Sequence, residues 1–451
     1  MTPNALLTDL RIFQRVLYFC GFLFLIARSP VWDMVWDAHG YLHSSLQWFG
    51  SGVKDDEQLF FRGVLSSVIY LPPSFIGAKF LEPSVFGTYI YVLVMIQNAA
   101  LVSWISVYLL PKIAGLFAPP KHSTVVFTSV LGVYALRSFV PYSLVDIWGV
   151  AFLLSGCYLI YANKIAKLVV AGLVLGIGFN LRPSYLITLV LIFGFVLFYK
   201  KTKAVFVVLG FTLAQVPQVV YNWFEYQTLS IIPSGLEKLE SLNLALKASS
   251  IRYDSIEYSQ FLAGPISFCD KAMHALMVKD SIDSRWDLTK FFLVNPGESI
   301  PFYFKKLAAA FWWPVDVPYY NHNPIVNSVF GAVILFIFVF GFGYIVRKVF
   351  QSSGWIDQQS LMALLVGAGF LANLFLYHSE ARYSLPLVLL GIVGLTLFCT
   401  EVIALDSSKD GFWRLYRKYV LSCSVVYVVL FFIAATNLMG SAGMANLGLC
   451  T

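Results

Sequence analysis

Two arginines mark the edges of apolar runs in this chain, and their placement suggests a site for an anion. Arg182 ends the run that starts near Gly172, in an Arg-Pro step, and Arg382 introduces another run in an Arg-Tyr step. A charged side chain at membrane depth is costly unless it faces protein, water or a ligand. Guanidinium groups can bind phosphate oxygens through two parallel hydrogen bonds. Together with an acidic first loop, these arginines indicate a pocket for a lipid phosphate.

A carboxylate close to the first apolar run could act as a base beside such a phosphate site. Asp37 lies in the stretch 36–48, shortly after that run. Near hydrocarbon the ionised form of a carboxyl group is disfavoured, so the group can take up a proton at useful pH and act as a base. If the stretch is helical, Asp37, Tyr41 and Trp48 share one face. The alternative is an interfacial aspartate that caps a helix beside membrane-belt tryptophans.

The composition indicates the solvent that surrounds these residues. Of the 451 residues, 59% are hydrophobic and 12% charged, whereas a soluble domain carries about 25% charge. Apolar runs recur at the length that crosses a bilayer, roughly 17–25 residues. We therefore expect an all-α, polytopic integral membrane protein with about eleven transmembrane helices. The predicted spans are 12–28, 85–110, 123–140, 144–162, 166–181, 184–199, 204–224, 325–346, 359–377, 384–402 and 419–437.

The distribution of Lys and Arg sets the predicted topology. With the N-terminus cytoplasmic, short cytoplasmic segments carry more of these residues than short outer segments do, as the positive-inside rule requires. The first run shows no small-residue cleavage site and is expected to stay as a signal anchor. The apolar segment 62–80 would invert every later loop if it crossed the membrane. Its Pro72-Pro73 pair interrupts helical hydrogen bonding, so we expect an interfacial or re-entrant segment.

This topology divides the chain into three parts. Residues 1–224 form an N-terminal transmembrane module with an acidic first outer loop at 29–84, and residues 325–451 hold the last four helices. The mixed-charge segment 225–324 is long enough for a small outer domain, which we expect to be helical. The small outer loops 137–146, 181–184 and 378–383 each hold a charged residue. Any chemistry is therefore expected at the outer face.

Cysteines and glycosylation signals bear on the compartment. Four of the six cysteines lie in predicted spans, where they act as small hydrophobes. Cys269 and Cys450 are both expected outside, where they can pair but need not. No asparagine begins an Asn-X-Ser/Thr acceptor. This fits a bacterial inner (plasma) membrane better than an endoplasmic reticulum.

Several passages, in chain order, resemble the GT-C glycosyltransferases, which use polyprenyl-phosphate sugars as donors. Each passage alone is common, but their shared order over nearly the whole chain, on one predicted membrane face, is more specific. In the family the first site is often Asp-Glu or Asp-Asp, whereas Ala38 follows Asp37 here. The passages are Asp37-x-x-x-Tyr41, Arg137 to Asp146, Gly172 to Ser184 with Arg182-Pro183, Pro217 to Asn222, Asn295-Pro296 with Lys305-Lys306, and His378 to Pro386 with Arg382-Tyr383.

The resemblance implies an inverting glycosyltransferase. It would transfer a single sugar from polyprenyl (undecaprenyl) phosphate to a surface glycan or lipid-linked acceptor, with its active site facing the periplasm or exterior. Asp37 would be the catalytic base. Acceptor or sugar contacts would come from Asp146, Tyr41 and His39. The donor phosphate would be held by Arg382, Arg182, Arg62, Arg137, His378 and Tyr383.

Some of these residues have a purely structural role as an alternative. Asp146 can instead form an ion pair with Arg137, and Glu380 can simply neutralise Arg382. No metal site or other cofactor is expected, because the chain shows no metal-ligand spacing of Cys and His. Membrane lipid is an expected partner and nucleic acid is not.

Two rival functions remain open. A transporter or flippase of a lipid-linked saccharide would need polar residues through the middle of several helices, and most predicted spans are apolar at that depth. An O-antigen-type polymerase or ligase would use diphosphate donors, and its large loop typically comes later in the chain.

Overall fold

A computed structural model gives the fold of most of the chain. It describes residues 3–29, 34, 36–49, 63–80, 86–232, 248–252, 266–277, 285–312, 324–351, 357–376, 381–404, 409–438 and 444–446. These residues are helical apart from loops and three short strands. The chain forms two compact units, Met1–Leu236 and Glu237–Thr451.

The first unit is entirely helical in its described part. Its α-helices are α1 (Pro3–Arg28), α2 (Trp36–Gln47), α3 (Val64–Ile69), α4 (Leu71–Phe80), α5 (Phe86–Trp104), α6 (Leu110–Ala114), α7 (His122–Leu136), α8 (Asp146–Ile160), α9 (Ile165–Leu181), α10 (Leu186–Lys200) and α11 (Ala204–Tyr226). A π-helical turn, Ile105–Leu109, joins α5 to α6. Short 3-10 turns are Arg137–Phe139, Pro183–Tyr185 and Lys201–Lys203.

Among the described residues, six helical segments are long and apolar enough to cross a membrane. They are Asp9–Arg28, Thr88–Ala114, Pro183–Tyr226, Ser328–Gln351, Arg382–Ala404 and Tyr416–Thr436. Each of the predicted spans coincides with a helix of the structure. The helical class is therefore confirmed, and these segments support an integral membrane protein. The number of crossings stays a prediction.

The apolar segment 62–80 is interrupted, as expected from its proline pair. Helices α3 and α4 are separated by Tyr70, and Pro72 and Pro73 lie in the first turn of α4. Proline is tolerated there because the first N–H groups of a helix have no intrahelical acceptor. The break therefore falls just before the prolines rather than at them.

Helices α9 and α11 approach each other closely through glycines. A side chain at Gly172 would collide with the carbonyl oxygen of Val207, and one at Gly210 with the carbonyl oxygen of Val169. Small residues let two backbones meet in this way, which is common between membrane helices. The two helices run parallel, so Arg182, after α9, lies at the same end as the last turn of α11.

Helices α8 and α9 form an antiparallel hairpin across the short turn at 161–164. Gly156 faces Leu175, and Gly149 faces Gly178. Continuing this register toward the open end of the hairpin places Asp146, the first residue of α8, opposite Arg182. The hairpin therefore positions two of the predicted site residues.

The second unit combines helices with a small sheet. Its α-helices are α12 (Lys271–Met277), α13 (Arg285–Val294), α14 (Pro296–Phe311), α15 (Pro324–Phe336), α16 (Gly343–Gln351), α17 (Gln358–Leu376), α18 (Leu385–Ala404) and α19 (Lys409–Leu438). Ile337–Phe342 forms a π-helical turn, and Ala381–Ser384 a 3-10 turn. The strands are β1 (Ala248–Arg252), β2 (Ile266–Cys269) and β3 (Met444–Asn446).

The sheet is antiparallel, in the order β1-β2-β3. Phe268 pairs with Ser250 on one side and with Met444 on the other. Strand β3 comes from the chain after α19, so the segment that follows α19 pairs with β2. The membrane topology stays a prediction. The segment 225–324, which was expected to be helical, contains strands β1 and β2 in addition to helices α12, α13 and α14. Strand β3, from outside that segment, completes the sheet.

Cys269, at the end of β2, is disulfide-bonded. Cys20, Cys157, Cys399 and Cys423 are free thiols. Cys450, the partner that the sequence offers on the same face, lies outside the described residues.

Candidate functional site

Asp37 lies on a helix, which is the condition under which the sequence places it on one face with Tyr41. It occupies the first turn of α2, where a carboxylate interacts favourably with the helix dipole. Its side chain is half-buried, and Tyr41, one turn further, is buried. The two residues therefore share a face at the spacing of one helical turn.

Helix α2 is held by two neighbouring elements. Trp48, just after α2, donates its indole N–H to the Ser67 hydroxyl of α3 at 3.0 Å. On the other side, the Ser143 hydroxyl donates to the carbonyl oxygen of Ala38. Ser143 belongs to the loop that leads into α8. The residue next to Asp37 is thus tied to the loop that ends at Asp146.

Asp146 and Arg182 form a buried ion pair. Their side chains are 3% and 12% exposed, respectively. Asp146 opens α8 and Arg182 follows the last residue of α9, so each charge sits at the helix end that favours it. The predicted alternative partner of Asp146 was Arg137, and this is corrected. Arg137 instead places its guanidinium 4.5 Å from the ring centre of Tyr134.

One oxygen of the Asp146 carboxylate is unsatisfied within the described part of the chain. Arg182 contacts Oδ1, whereas Oδ2 is buried and makes no hydrogen bond there. Leaving a buried acceptor without a partner costs about 1–3 kcal/mol, and more when it is charged. Such an atom calls for an explanation by water, an ion or a ligand.

Tyr70 lies near both Tyr41 of α2 and Asp146 of the ion pair. It is fully buried, and its hydroxyl donates to the Leu144 carbonyl at 2.8 Å. Burial raises the pKa of Tyr70 well above its usual range, and the nearby Asp146 and Tyr41 add to the shift. Tyr41, Tyr70 and Asp146 are therefore close enough to interact electrostatically. These residues come from three segments of the chain and form one polar cluster.

A chain of buried amides fixes the start of α3. Asn180 and Gln218 accept the backbone N–H groups of Leu65 and Val64 at 2.9 and 2.8 Å. Gln218 then donates to Asn222 at 3.0 Å, and Asn222 donates to the carbonyl oxygens of Ser230 and Ile232. These side chains link α3, α9 and α11 at the end that bears Arg182. Arg62, next to α3, lies outside the described residues.

The predicted residues of the second unit are described only in part. Arg382 and Tyr383 lie in the 3-10 turn Ala381–Ser384, with the Arg382 guanidinium 5.6 Å from the centre of the Tyr383 ring. Ser384 anchors this turn by donating to the carbonyl oxygen of Ala310 in α14 at 2.7 Å. His378 and Glu380 lie outside the described residues, so the proposed neutralisation of Arg382 by Glu380 stays a prediction.

Helix α14 also carries a buried lysine, Lys306, one turn before Ala310. Lys306 is fully buried, and desolvation lowers its pKa to about 7. Its neighbour Lys305 instead forms an ion pair with Asp270 at 2.6 Å. The sequence singled out both lysines only as part of a motif and did not distinguish them.

His39 is exposed and stacks on His43, with ring centres 5.5 Å apart. Among the described residues, no group of three or more His, Cys, Asp or Glu side chains is arranged to hold a metal ion.

Sequence reasoning missed several members of the first unit's cluster. Tyr70, Asn98, Asn180 and Gln218 are all buried and bonded to backbone groups of other segments. The sequence did contain one indication of these residues: each is an amide or hydroxyl side chain within an apolar run. A polar group buried there must form hydrogen bonds with protein groups.

Comparison with known proteins found no match among protein-family models, curated proteins or solved structures.

Proposed function

We propose that this protein is an inverting membrane glycosyltransferase of the GT-C type with about eleven transmembrane helices. It transfers one sugar from polyprenyl (undecaprenyl) phosphate to a surface glycan or lipid-linked acceptor. The reaction takes place at the outer face of a bacterial plasma membrane. This proposal rests on the sequence resemblance together with the polar cluster of the first unit.

The observation that carries the proposal is the incomplete bonding of Asp146 beneath the helix of Asp37. A buried ion pair is expensive to maintain, since desolvation offsets most of the attraction between its charges. An unsatisfied carboxylate oxygen adds to that cost. A ligand hydroxyl that donates to Oδ2 would remove this penalty. Sugars and glycan acceptors supply such hydroxyl groups.

The reaction assigns a different task to each acidic residue. Asp37, half-buried at the start of α2, removes the proton of the acceptor hydroxyl. The acceptor oxygen then bonds to the anomeric carbon of the sugar. The bond from that carbon to the phosphate oxygen breaks, and the polyprenyl phosphate leaves with the electron pair. Asp146 orients a hydroxyl group of the sugar or acceptor.

Arginines bind the leaving phosphate in this proposal. Negative charge develops on the phosphate oxygen as the bond breaks, and preorganised cationic donors stabilise it. Arg182 is already oriented by Asp146, which limits its side-chain freedom. Arg382 belongs to the second unit, and its part in phosphate binding is inferred from the sequence. Tyr41 and His39, on the helix of Asp37, are the proposed neighbours of the acceptor.

The decisive experiment replaces Asp37 by Asn in the full-length protein. A panel of undecaprenyl-phosphate sugars and extracted envelope lipids serves as substrates, and release of free undecaprenyl phosphate is measured. The matched control is Asp9→Asn, since Asp9 is an exposed carboxylate of α1 that pairs with His122. We expect Asp37→Asn to lower the rate by about 10²–10⁴-fold, with normal membrane insertion, and Asp9→Asn to have no effect. Turnover retained in Asp37→Asn would end the assignment of the base.

The same preparation separates the proposal from its main rival. A transporter of lipid-linked saccharide would move a labelled donor across sealed vesicles and leave its sugar–phosphate bond intact. A glycosyltransferase would consume the donor with no need for movement. Donor translocation without release of undecaprenyl phosphate would replace the proposed function by transport.

A further inference from the structure

Asn98 is a fully buried side chain in α5 with well-defined partners. Its amide nitrogen donates to the carbonyl oxygens of Tyr142 at 2.7 Å and Val140 at 3.3 Å. Its oxygen accepts the indole N–H of Trp148 at 3.2 Å. The orientation of the amide follows from this arrangement, because both carbonyls need a donor and the indole needs an acceptor.

Tyr70 binds a third carbonyl group of the same loop. Its hydroxyl lies 2.8 Å from the Leu144 oxygen and 3.4 Å from the Asn98 oxygen. A hydroxyl has one proton, and the shorter contact takes it. The carbonyls of Val140, Tyr142 and Leu144 are thus all held by Asn98 and Tyr70. They lie in the loop between the 3-10 turn Arg137–Phe139 and Asp146.

The loop also makes backbone hydrogen bonds of its own, from Leu144 to the Tyr142 carbonyl at 2.8 Å and from Val140 and Tyr142 back to the 3-10 turn. Among the described residues, the Val140 and Leu144 carbonyls accept no such backbone bond, so these buried acceptors depend on the Asn98 and Tyr70 side chains.

The loop ends at Asp146, and its Ser143 hydroxyl donates to the Ala38 carbonyl of α2. The position of the loop therefore determines two things: where the Asp146 carboxylate meets Arg182, and how α2, which bears Asp37, is held.

We propose that Asn98 is a positioning residue that places Asp146 and the helix of Asp37 for sugar transfer. Asn98 does not touch a substrate in this proposal; it acts through the backbone of residues 140–146. The kinetic part of the inference rests on the proposed function. The structural part, that loss of the Asn98 amide loosens this loop, can be measured without any activity.

The structural test compares hydrogen–deuterium exchange in wild type and Asn98→Leu, using the full-length protein in nanodiscs. Leucine keeps a similar volume and removes both donors and the acceptor. We expect amides of residues 138–146 to exchange about tenfold faster, with α9 and α11 unchanged. The matched control is Gln215→Leu, since Gln215 is another buried amide and donates to the Gly176 carbonyl at 2.8 Å. Its loss should leave 138–146 protected.

The kinetic test measures undecaprenyl phosphate release per folded molecule in the same variants. A misplacement of reacting groups by about 1 Å can cost 10²-fold in rate. We expect Asn98→Leu to lower kcat by roughly 10- to 100-fold with little change in KM for the donor. A residue that only stabilises the fold would reduce the amount of folded protein and leave both constants unchanged.

The outcomes distinguish this inference from the proposed function. Wild-type exchange in 138–146 of Asn98→Leu would overturn the inference, whatever the activity. An equal loss of kcat in Gln215→Leu would overturn it too, because the effect would then be general. If the loop loosens in Asn98→Leu but wild type transfers no sugar, the proposed function is overturned, while the structural link from Asn98 to Asp146 stands.

Discussion

One ion pair of each unit, Asp146–Arg182 in the first and Glu401–Lys348 in the second, can be compared, and the two carboxylates differ in how completely they are bonded. In the second unit, Lys348 of α16 contacts Oε1 of Glu401 in α18, and the Tyr416 hydroxyl donates to Oε2 at 2.8 Å. Both carboxylate oxygens are used. In the first unit, Arg182 contacts one oxygen of Asp146 and the other has no hydrogen bond among the described residues.

The two pairs also differ in their access to solvent. Lys348 and Glu401 keep 39% and 38% of their side-chain surface, whereas Asp146 keeps 3%. The guanidinium carbon of Arg347, next to Lys348, lies 4.2 Å from the ring centre of Tyr416 and 5.7 Å from that of Tyr419. The pair of the second unit is therefore a solvated, complete contact between helix ends. Deep burial with incomplete bonding is the feature that marks Asp146 as a candidate for ligand binding.

The largest effect that tests this comparison is expected from Asp146→Ala. Removing one partner of a buried pair leaves an uncompensated charge and costs about 3–5 kcal/mol. The measurement is thermal unfolding of the purified protein. The double variant Asp146→Leu with Arg182→Met should recover most of the stability, since apolar residues of similar volume replace the pair, but it should not recover transfer activity. A single variant as stable as wild type would show that the ion pair is not the buried contact described above.

Arg382→Ala should have the next largest effect. A hydrogen bond to a charged group contributes roughly 1.5–3 kcal/mol, so KM for the undecaprenyl-phosphate donor should rise by about 10- to 100-fold. The acceptor KM should change little. Arg347→Ala is the matched control, because its guanidinium stacks on tyrosines in the second unit. If the KM values for donor and acceptor rose equally in Arg382→Ala, the role of Arg382 would be structural.

A smaller effect is expected from Gly149→Ala. The added methyl carbon would lie 3.1 Å from Cγ of Arg182 and 3.4 Å from the Tyr185 hydroxyl oxygen, so Arg182 must move by a few tenths of an ångström. We expect activity to fall by roughly 3- to 10-fold. Gly194→Ala in α10 is the control, because among the described residues no atom beyond its own helix backbone lies within 4 Å of the added carbon. Similar losses in both variants would mean that the position of Arg182 does not limit the reaction.

The smallest effect is expected from Glu401→Gln. Partly exposed ion pairs contribute less than about 1 kcal/mol, and both partners here are more than one-third exposed. Unfolding temperature should shift slightly and transfer activity should not change. A loss of stability comparable to that of Asp146→Ala would remove the distinction between the two pairs.

The sequence predicted the helices well because apolar runs and their boundaries depend on local composition. Every predicted span coincides with a helix, and the break near Pro72-Pro73 was anticipated. For the stretch around Asp37 the sequence indicated only a condition, that a helix would place Asp37 and Tyr41 on one face, and the structure shows that helix. These features need no knowledge of how distant segments pack.

Features that depend on packing were harder to predict. The alternative in which Asp146 pairs with the nearby Arg137 was wrong, although Asp146 and Arg182 are almost equally far from the turn of the α8–α9 hairpin. Pairing residues at equal distances from that turn would have identified Arg182 as the partner of Asp146. Asn98 was missed because a single amide in an apolar run gives no indication of which loop it binds. The sheet was missed because β3 has only three residues and comes from a distant part of the chain.

Strand β3 has a practical consequence for engineering this protein. It covers one edge of β2, and the hydrogen-bonding groups of an uncovered strand edge invite pairing with other chains. Deletion of residues 444–446, or a bulky purification tag fused directly to them, would expose that edge and favour aggregation during detergent extraction. A flexible spacer after residue 451, or a tag at the opposite end, keeps the edge covered.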